Sequence, residues 1–230
     1  SIVAKDDEGF LISWLDGRNT VEKDDDGNHK PMTVRFAEIT NAGDIINEVE
    51  LDASVCDCCQ TSITNTDKGP LVVYRDRTKE EVRDIYVTRN IDDKWETPAS
   101  VHNDGWVIYG CPVNGPKVVS DSNNIAVSWF TVYDGKPRVN LSFSESYGSS
   151  FGAPIQINDH NAIGRVDVVY LNDKEVLVSY MEGDDFDTYL RLKKVSMDGK
   201  VSEPITISKI DSGRNTGVPQ LEILNDCLLY

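Results

Sequence analysis

The chain has 230 residues and a mass of 25.7 kDa, a size that a single all-β domain can reach. Asp and Glu number 39 against 23 Lys and Arg, a net charge of −16, which repels phosphate backbones and anionic lipid and argues against nucleic-acid binding. Hydrophobic residues make up 39%, enough for a folded core, and no apolar run approaches the ~18 residues of a membrane span.

Short apolar segments that alternate with small or polar residues recur along the chain and read as strands. The first is 12–16, Ile-Ser-Trp-Leu-Asp. Relatives of it follow at 73–76, 127–131 and 178–182, and a truncated one at 227–230. Their aromatics, Trp14, Tyr74, Trp129, Tyr180 and Tyr230, are spaced 60, 55, 51 and 50 residues apart. Asp52, Asp104, Asp159 and Asp211 keep step at intervals of 52, 55 and 52, and Pro98, Pro154 and Pro204 form a third series.

Taken in order, the second period predicts strands at 60–66, 71–77, 82–90 and 98–104. The third predicts 116–121, 125–132, 138–144 and 155–159, and the fourth 165–171, 175–182, 189–196 and 205–210. Four short strands per period is the pattern of β-propeller blades, and no stretch sustains a helical period. A β-sandwich is the rival all-β reading, but it has no need of a fixed four-strand repeat. The expected blades are 1–54, 55–105, 106–160 and 161–211, with a fifth begun at 212–230.

In a propeller the loops that enter each blade share a face with those between its second and third strands. That register sends the segments 56–59, 106–114, 160–165 and 211–214 to one face, with 16–18, 75–83 and 182–187. Cys56, Cys58 and Cys59 lie there, and Cys111 follows one period later: Cys56 and Cys111 each precede a repeat aromatic by 18 residues. Two readings stay open. The segments are joined by a disulfide beside buried thiols, or three or four thiolates hold zinc or copper. No βαβ pattern surrounds Cys56-x-x-Cys59, which excludes a thioredoxin motif. Cys227 is expected as an inert buried thiol. The stretch Asp24-Asp25-Asp26-Gly27-Asn28 lacks the closing Glu of a calcium loop and reads as a solvated hairpin. Asp76 and Asp84 lie among arginines and are expected to stay ionised, and Trp106 is placed to stack on a sugar or to pack beneath its loop.

The run Ser144-x-Ser146-x-Gly148-x-Ser150-Phe151 resembles the Asp-box (BNR) repeat, with Ser146 where the repeat has Asp. Five further segments are similar to those of a bacterial subgroup of sialidase-like, six-bladed propellers. They are Trp-Leu-Asp-Gly-Arg at 14–18, Cys-x-Cys-Cys-Gln-Thr at 56–61 and Tyr-Arg-Asp-Arg at 74–77 with Arg-Asp-Ile at 83–85. Cys-Pro-Val-Asn-Gly-Pro at 111–116 and Gly-Arg-Val-Asp at 164–167 complete the set. The resemblance implies one propeller domain over 1–230, incomplete because the family has six blades. It implies a bacterial protein that is secreted, periplasmic or on the cell surface, consistent with disulfides.

The resemblance also implies a glycan partner, sialic acid or another acidic sugar, whose carboxylate is gripped by arginine forks. Arg83, Arg165 and Arg214 are the best placed, with Arg77 and Arg18 behind them and Asp76, Asp84 and Trp106 beside them. If the chain is an enzyme, the implied reaction is retaining hydrolysis of a terminal glycosidic bond, with no required cofactor; its catalytic residues are not assigned by the sequence. The alternative is a non-catalytic binding or scaffold module built around the cysteines.

Overall fold

The computed structural model describes residues 1–5, 9–184, 186–213 and 216–224, and the backbone of 227–229. Arg214, Tyr230 and the Cys227 side chain therefore lie outside the described residues. Within the described residues the regular structure is strand throughout, with no α-helix, and no helix is long and apolar enough to cross a membrane.

The chain forms two compact units, 1–115 and 116–230. In the first, β1 (Ile2–Ala4), β2 (Gly9–Asp16), β3 (Met32–Thr40) and β4 (Ile45–Val55) make one antiparallel meander. The second sheet joins β5 (Ser62–Thr66), β6 (Gly69–Arg75) and β7 (Ile85–Ile91). Its β7 pairs at one end with the short β8 (Lys94–Trp95) and at the other with β9 (Ala99–His102). The second unit repeats the plan with β10 (Lys117–Asp121), β11 (Asn124–Tyr133), β12 (Lys136–Ser144) and β13 (Ile155–Gln156). It follows with β14 (Asn161–Asn172), β15 (Glu175–Gly183), β16 (Thr188–Ser196) and β17 (Ile205–Ile210), then a hairpin of β18 (Glu222–Leu224) and β19 (Cys227–Leu229). Four-stranded antiparallel meanders of this kind are the build of propeller blades.

The periodic aromatics explain the packing. Trp14, Tyr74, Trp129 and Tyr180 all fall on the second strand of their sheets, and the last three are fully buried. In the first unit Leu11, Val34, Phe36 and Val55 of the first sheet pack on Ile63, Val72 and Tyr74 of the second. Each such fully buried aliphatic side chain stabilises the fold by roughly 1.5–3 kcal/mol. Trp95 closes this core edge-on to Phe36, at 4.8 Å between ring centroids, which is why the two-residue β8 exists at all. In the second unit Leu177 and Leu192 pack against Leu221.

The turns follow from side-chain oxygens. The Asp24 carboxylate accepts the N–H groups of Asp26 (3.0 Å) and Asn28 (2.8 Å), so that loop is a self-closed hairpin. In the run resembling an Asp-box, the Ser144 hydroxyl accepts from the N–H groups of Ser146 (3.2 Å) and Gly148 (3.0 Å), between β12 and β13. Ser144 thus fastens the turn at the first position of the motif.

Candidate functional site

Three segments of the first unit run side by side beyond the ends of their strands. Val55 bridges Asp76, and the Cys56 N–H donates to the Arg75 carbonyl at 3.0 Å. The Asp76 N–H donates to the Asp84 carbonyl (3.0 Å), and the Arg83 N–H to the Trp106 carbonyl (2.8 Å). This ladder draws the stretches 55–59, 75–84 and 104–115 together. Gly115 locks the third stretch in place: a Cβ there would sit 2.0 Å from the Gln60 carbonyl oxygen, so only glycine allows the approach. The Cys-Cys-Gln and Asn-Gly-Pro motifs are therefore two sides of one backbone contact.

The cysteines converge as the spacing implies, and the bond is between Cys58 and Cys111, whose Cα atoms are 6.2 Å apart. The spacing aligns Cys56 with Cys111, but Cys56 turns inward instead. Its sulfur lies 2.7 Å from that of Cys59, and both are buried. The hydrogen bond shared with Cys59, helped by the Arg75 and Arg83 charges, brings the Cys56 thiol down to about 6 against the pull of burial. Cys59 moves upward, through its hydrogen bond with Cys56 and its own desolvation. The sulfurs of Cys56, Cys58 and Cys59 lie within 4.8 Å of one another, a grouping that could hold a soft metal when reduced.

Beneath the thiols lies Arg75, only 1% exposed. Its guanidinium donates to the Asn114 carbonyl (2.9 Å) and the Arg83 carbonyl (2.5 Å) and sits over the Trp106 ring at 4.9 Å. Burial pushes its pKa down, while the adjacent thiols favour the charged form. Trp106 is thus packed below its loop, 8% exposed, as a platform for this cation. The Asp84 carboxylate orients the same loop by accepting from the N–H groups of Gly105 (3.0 Å) and Trp106 (3.2 Å); burial raises its pKa despite those bonds.

Arg77 and Arg83 flank Glu81. Arg77 donates to Glu81 at 2.8 Å and to Asp57 at 2.9 Å, and the buried Arg83 binds the other Glu81 oxygen. Burial works against the Glu81 charge, but the two guanidinium groups prevail and hold its carboxyl below the usual range. Two clefts open on either side of this cluster. One, of about 400 Å³, is lined by Cys58, Cys111, Tyr109, Arg77, Glu81 and Arg83. The other, of about 1100 Å³, is lined by Asp52, Asp76, Arg77, Glu81, Tyr86 and His29, among others.

The larger cleft holds a pair of acids. Asp52 accepts the Tyr74 hydroxyl at 2.6 Å and the Ser54 N–H at 3.0 Å, so it both caps its turn and fixes the core tyrosine. Asp76 is 8% exposed. Burial first, then the charges of Asp52 and Asp84, push its carboxyl up to about 7, with the Arg77 N–H and the Arg83 charge opposing. Asp76, expected to stay ionised among arginines, is instead lifted by desolvation that outweighs guanidinium groups already engaged by Glu81; Asp84 is shifted in the same direction by burial. The Tyr74 hydroxyl is driven far up by burial and by Asp52, which removes it from consideration as a nucleophile.

The second unit places its acids differently. Glu182, fully buried, accepts the N–H groups of Asp159 (2.8 Å) and His160 (2.9 Å) and pairs with Arg191 at 2.8 Å. Arg165 stands at a β-bulge of β14 with φ of 52°, and its guanidinium holds the carbonyls of Gly213 (2.8 Å) and Gly217 (3.1 Å). Asp167 accepts the Leu221 N–H at 2.9 Å. The Gly-Arg-Val-Asp motif therefore ties β14 to the segment before β18. Arg214, the remaining candidate, lies outside the described residues.

Sequence reasoning missed Arg75, Glu81 and Asp57. Arg75 had a signal: β6 is buried at every position from Leu71 to Arg75, so a charge ending that run needs internal partners. Glu81 and Asp57 sit in polar loops and had none.

No family model matches the chain, and no curated protein does. Among solved structures it is similar to an exo-1,5-α-L-arabinanase from a bovine ruminal metagenomic library, with a TM-score of 0.50 and 10% identity, over 90% of this chain and 76% of that one. An α-L-arabinofuranosidase from Podospora anserina gives a TM-score of 0.47 and 14% identity over 88% of this chain and 65% of that one. A Hadza microbial sialidase gives 0.46 and 16% over 76% and 45%, so the chain spans less than two thirds of these last two. At such identities the likeness to the first is one of fold: an all-β, propeller-type architecture.

Proposed function

We propose that the protein is carbohydrate-active and that the larger cleft of the first unit is its glycan site. The observation that carries this is Asp76, a buried carboxyl near half-protonation at neutral pH, lining a cleft with Asp52. Glycoside hydrolysis needs a carboxylic acid still protonated at working pH to assist the leaving oxygen, and a second carboxylate to act with it. Asp76 takes the first role and Asp52 the second. Sharing a fold with an exo-arabinanase is in keeping with this chemistry. Arg77, on the cleft wall, supplies the attraction for an acidic sugar such as sialic acid. The Cys58–Cys111 bond suits an oxidising compartment, the periplasm or the exterior.

A second reading, glycan binding without turnover, is favoured by one observation. Arg77 is already engaged by Glu81 and Asp57, so a substrate carboxylate has to compete for it. A panel of 4-methylumbelliferyl glycosides, sialoside and arabinofuranoside included, separates the two. Hydrolysis that disappears in Asp76→Asn supports catalysis. Saturable glycan binding without hydrolysis supports the second reading, and neither binding nor hydrolysis across the panel removes both.

A further inference from the structure

Four of the five cysteines occupy one place in the first unit and differ sharply in access. Cys56 and Cys59 are sealed from solvent; Cys58 is half-buried and Cys111 exposed, on the wall of the smaller cleft. The Cys56 sulfur lies 2.7 Å from that of Cys59 and 3.9 Å from that of Cys58, which is bonded to Cys111. A closed dithiol thus abuts a disulfide that a solute can reach. Thiol–disulfide exchange needs an attacking sulfur next to one of the two bonded sulfurs, and Cys56 stands there beside Cys58.

We propose that these cysteines form a thiol–disulfide relay, carrying two electrons from the buried Cys56/Cys59 pair through Cys58–Cys111 to a small disulfide in the cleft. In the first step the Cys56 thiolate attacks the Cys58 sulfur; the Cys56–Cys58 bond forms, the Cys58–Cys111 bond breaks, and Cys111 leaves as thiolate. Cys59 then gives up its proton and attacks Cys56. The Cys56–Cys59 bond forms and Cys58 leaves. Cys58 and Cys111 end as thiols, one taking the Cys59 proton and the other a proton from solvent, and no electron has entered or left. The exposed dithiol next reduces the external disulfide to two thiols and closes Cys58–Cys111 again. The net change is one buried dithiol oxidised and one external disulfide reduced. This relay is independent of the glycan reading and uses the other cleft.

The test uses the full chain and oxidised glutathione. Thiol release is followed with time, and acid-quenched samples are alkylated and mapped by mass spectrometry. The wild type should release about two thiols per chain and gain a Cys56–Cys59 bond while keeping Cys58–Cys111. Cys56→Ser should slow release at least about 100-fold, since the first nucleophile is gone. Cys59→Ser, which keeps that nucleophile, should trap Cys56–Cys58 with Cys111 open to alkylation. Wild type that keeps free Cys56 and Cys59 throughout overturns the relay. So does release unchanged in Cys56→Ser, or a stoichiometric zinc or copper ion on the thiols of freshly purified protein.

Discussion

Asp16 and Asp76 occupy the same place in the two sheets of the first unit, two residues beyond the repeat aromatic at the end of the second strand. Their chemistry is opposite. The Asp16 carboxylate is gripped by the Arg18 guanidinium at 2.7 Å and accepts the Trp14 indole N–H at 2.9 Å, which hold its pKa well below the usual range. Asp76 has no such grip: burial and the neighbouring Asp52 and Asp84 charges lift it to about 7. The repeat thus fixes where an acid stands, and the residues that reach it from outside the repeat decide whether it carries a proton. Arg18 makes Asp16 a structural anion. In the second sheet Arg77 and Arg83 are drawn away by Glu81, which leaves Asp76 to titrate near neutrality.

The largest expected contrast is in turnover. Asp76→Asn should lower hydrolysis of whichever glycoside proves active by about 10²–10⁴-fold, with the far-ultraviolet spectrum unchanged. Asp16→Asn should leave it within about threefold, because that carboxylate has no proton to give at neutral pH. Comparable losses in both would mean that position alone matters.

Next is the buried cation that supports the site. Arg75→Leu removes the donor to the Asn114 and Arg83 carbonyls and the partner of the Trp106 ring. It should destabilise the protein by about 3 kcal/mol in urea, read as a lower midpoint at unchanged slope.

The pH dependence of stability separates the two acids in sign. A free aspartate titrates near 4, and Asp76 in the folded protein near 7. Between those values the folded state binds more protons, so the Asp76 contribution falls as pH rises through the window and is level above it. Asp76→Asn should remove the fall in stability between about pH 4 and pH 7, read from urea midpoints across that range. Asp16 acts in the other direction. Its depressed pKa gives stability that is present above about pH 4 and fades as pH falls below it. Arg18→Ala is the smallest effect, a melting temperature lower by about 1–2 °C at neutral pH and a shallower decline in acid.

Much of the fold was legible because the period itself is physical. The predicted strands at 125–132 and 175–182 fall inside β11 (Asn124–Tyr133) and β15 (Glu175–Gly183), where every residue from Ile125 to Thr131 and from Val176 to Gly183 is buried. β8 was not predicted, since two residues carry no periodicity; it is held by Trp95 on Phe36. Of the segments expected on one face, 55–59, 75–84 and 104–115 lie side by side, joined by backbone hydrogen bonds. Protonation states were not legible. Asp76 reads as an acid among arginines, and only the placement of Glu81, 2.8 Å from Arg77 and against Arg83, shows that those charges are already taken.

The most direct test follows the Asp76 side-chain carboxyl carbon by NMR as pH is varied, with Asp76→Asn to assign the signal. The account predicts a midpoint at about 7, with Asp16 still ionised at the lowest pH that preserves the fold. A midpoint near 4 for Asp76, as for an aspartate in water, would contradict it.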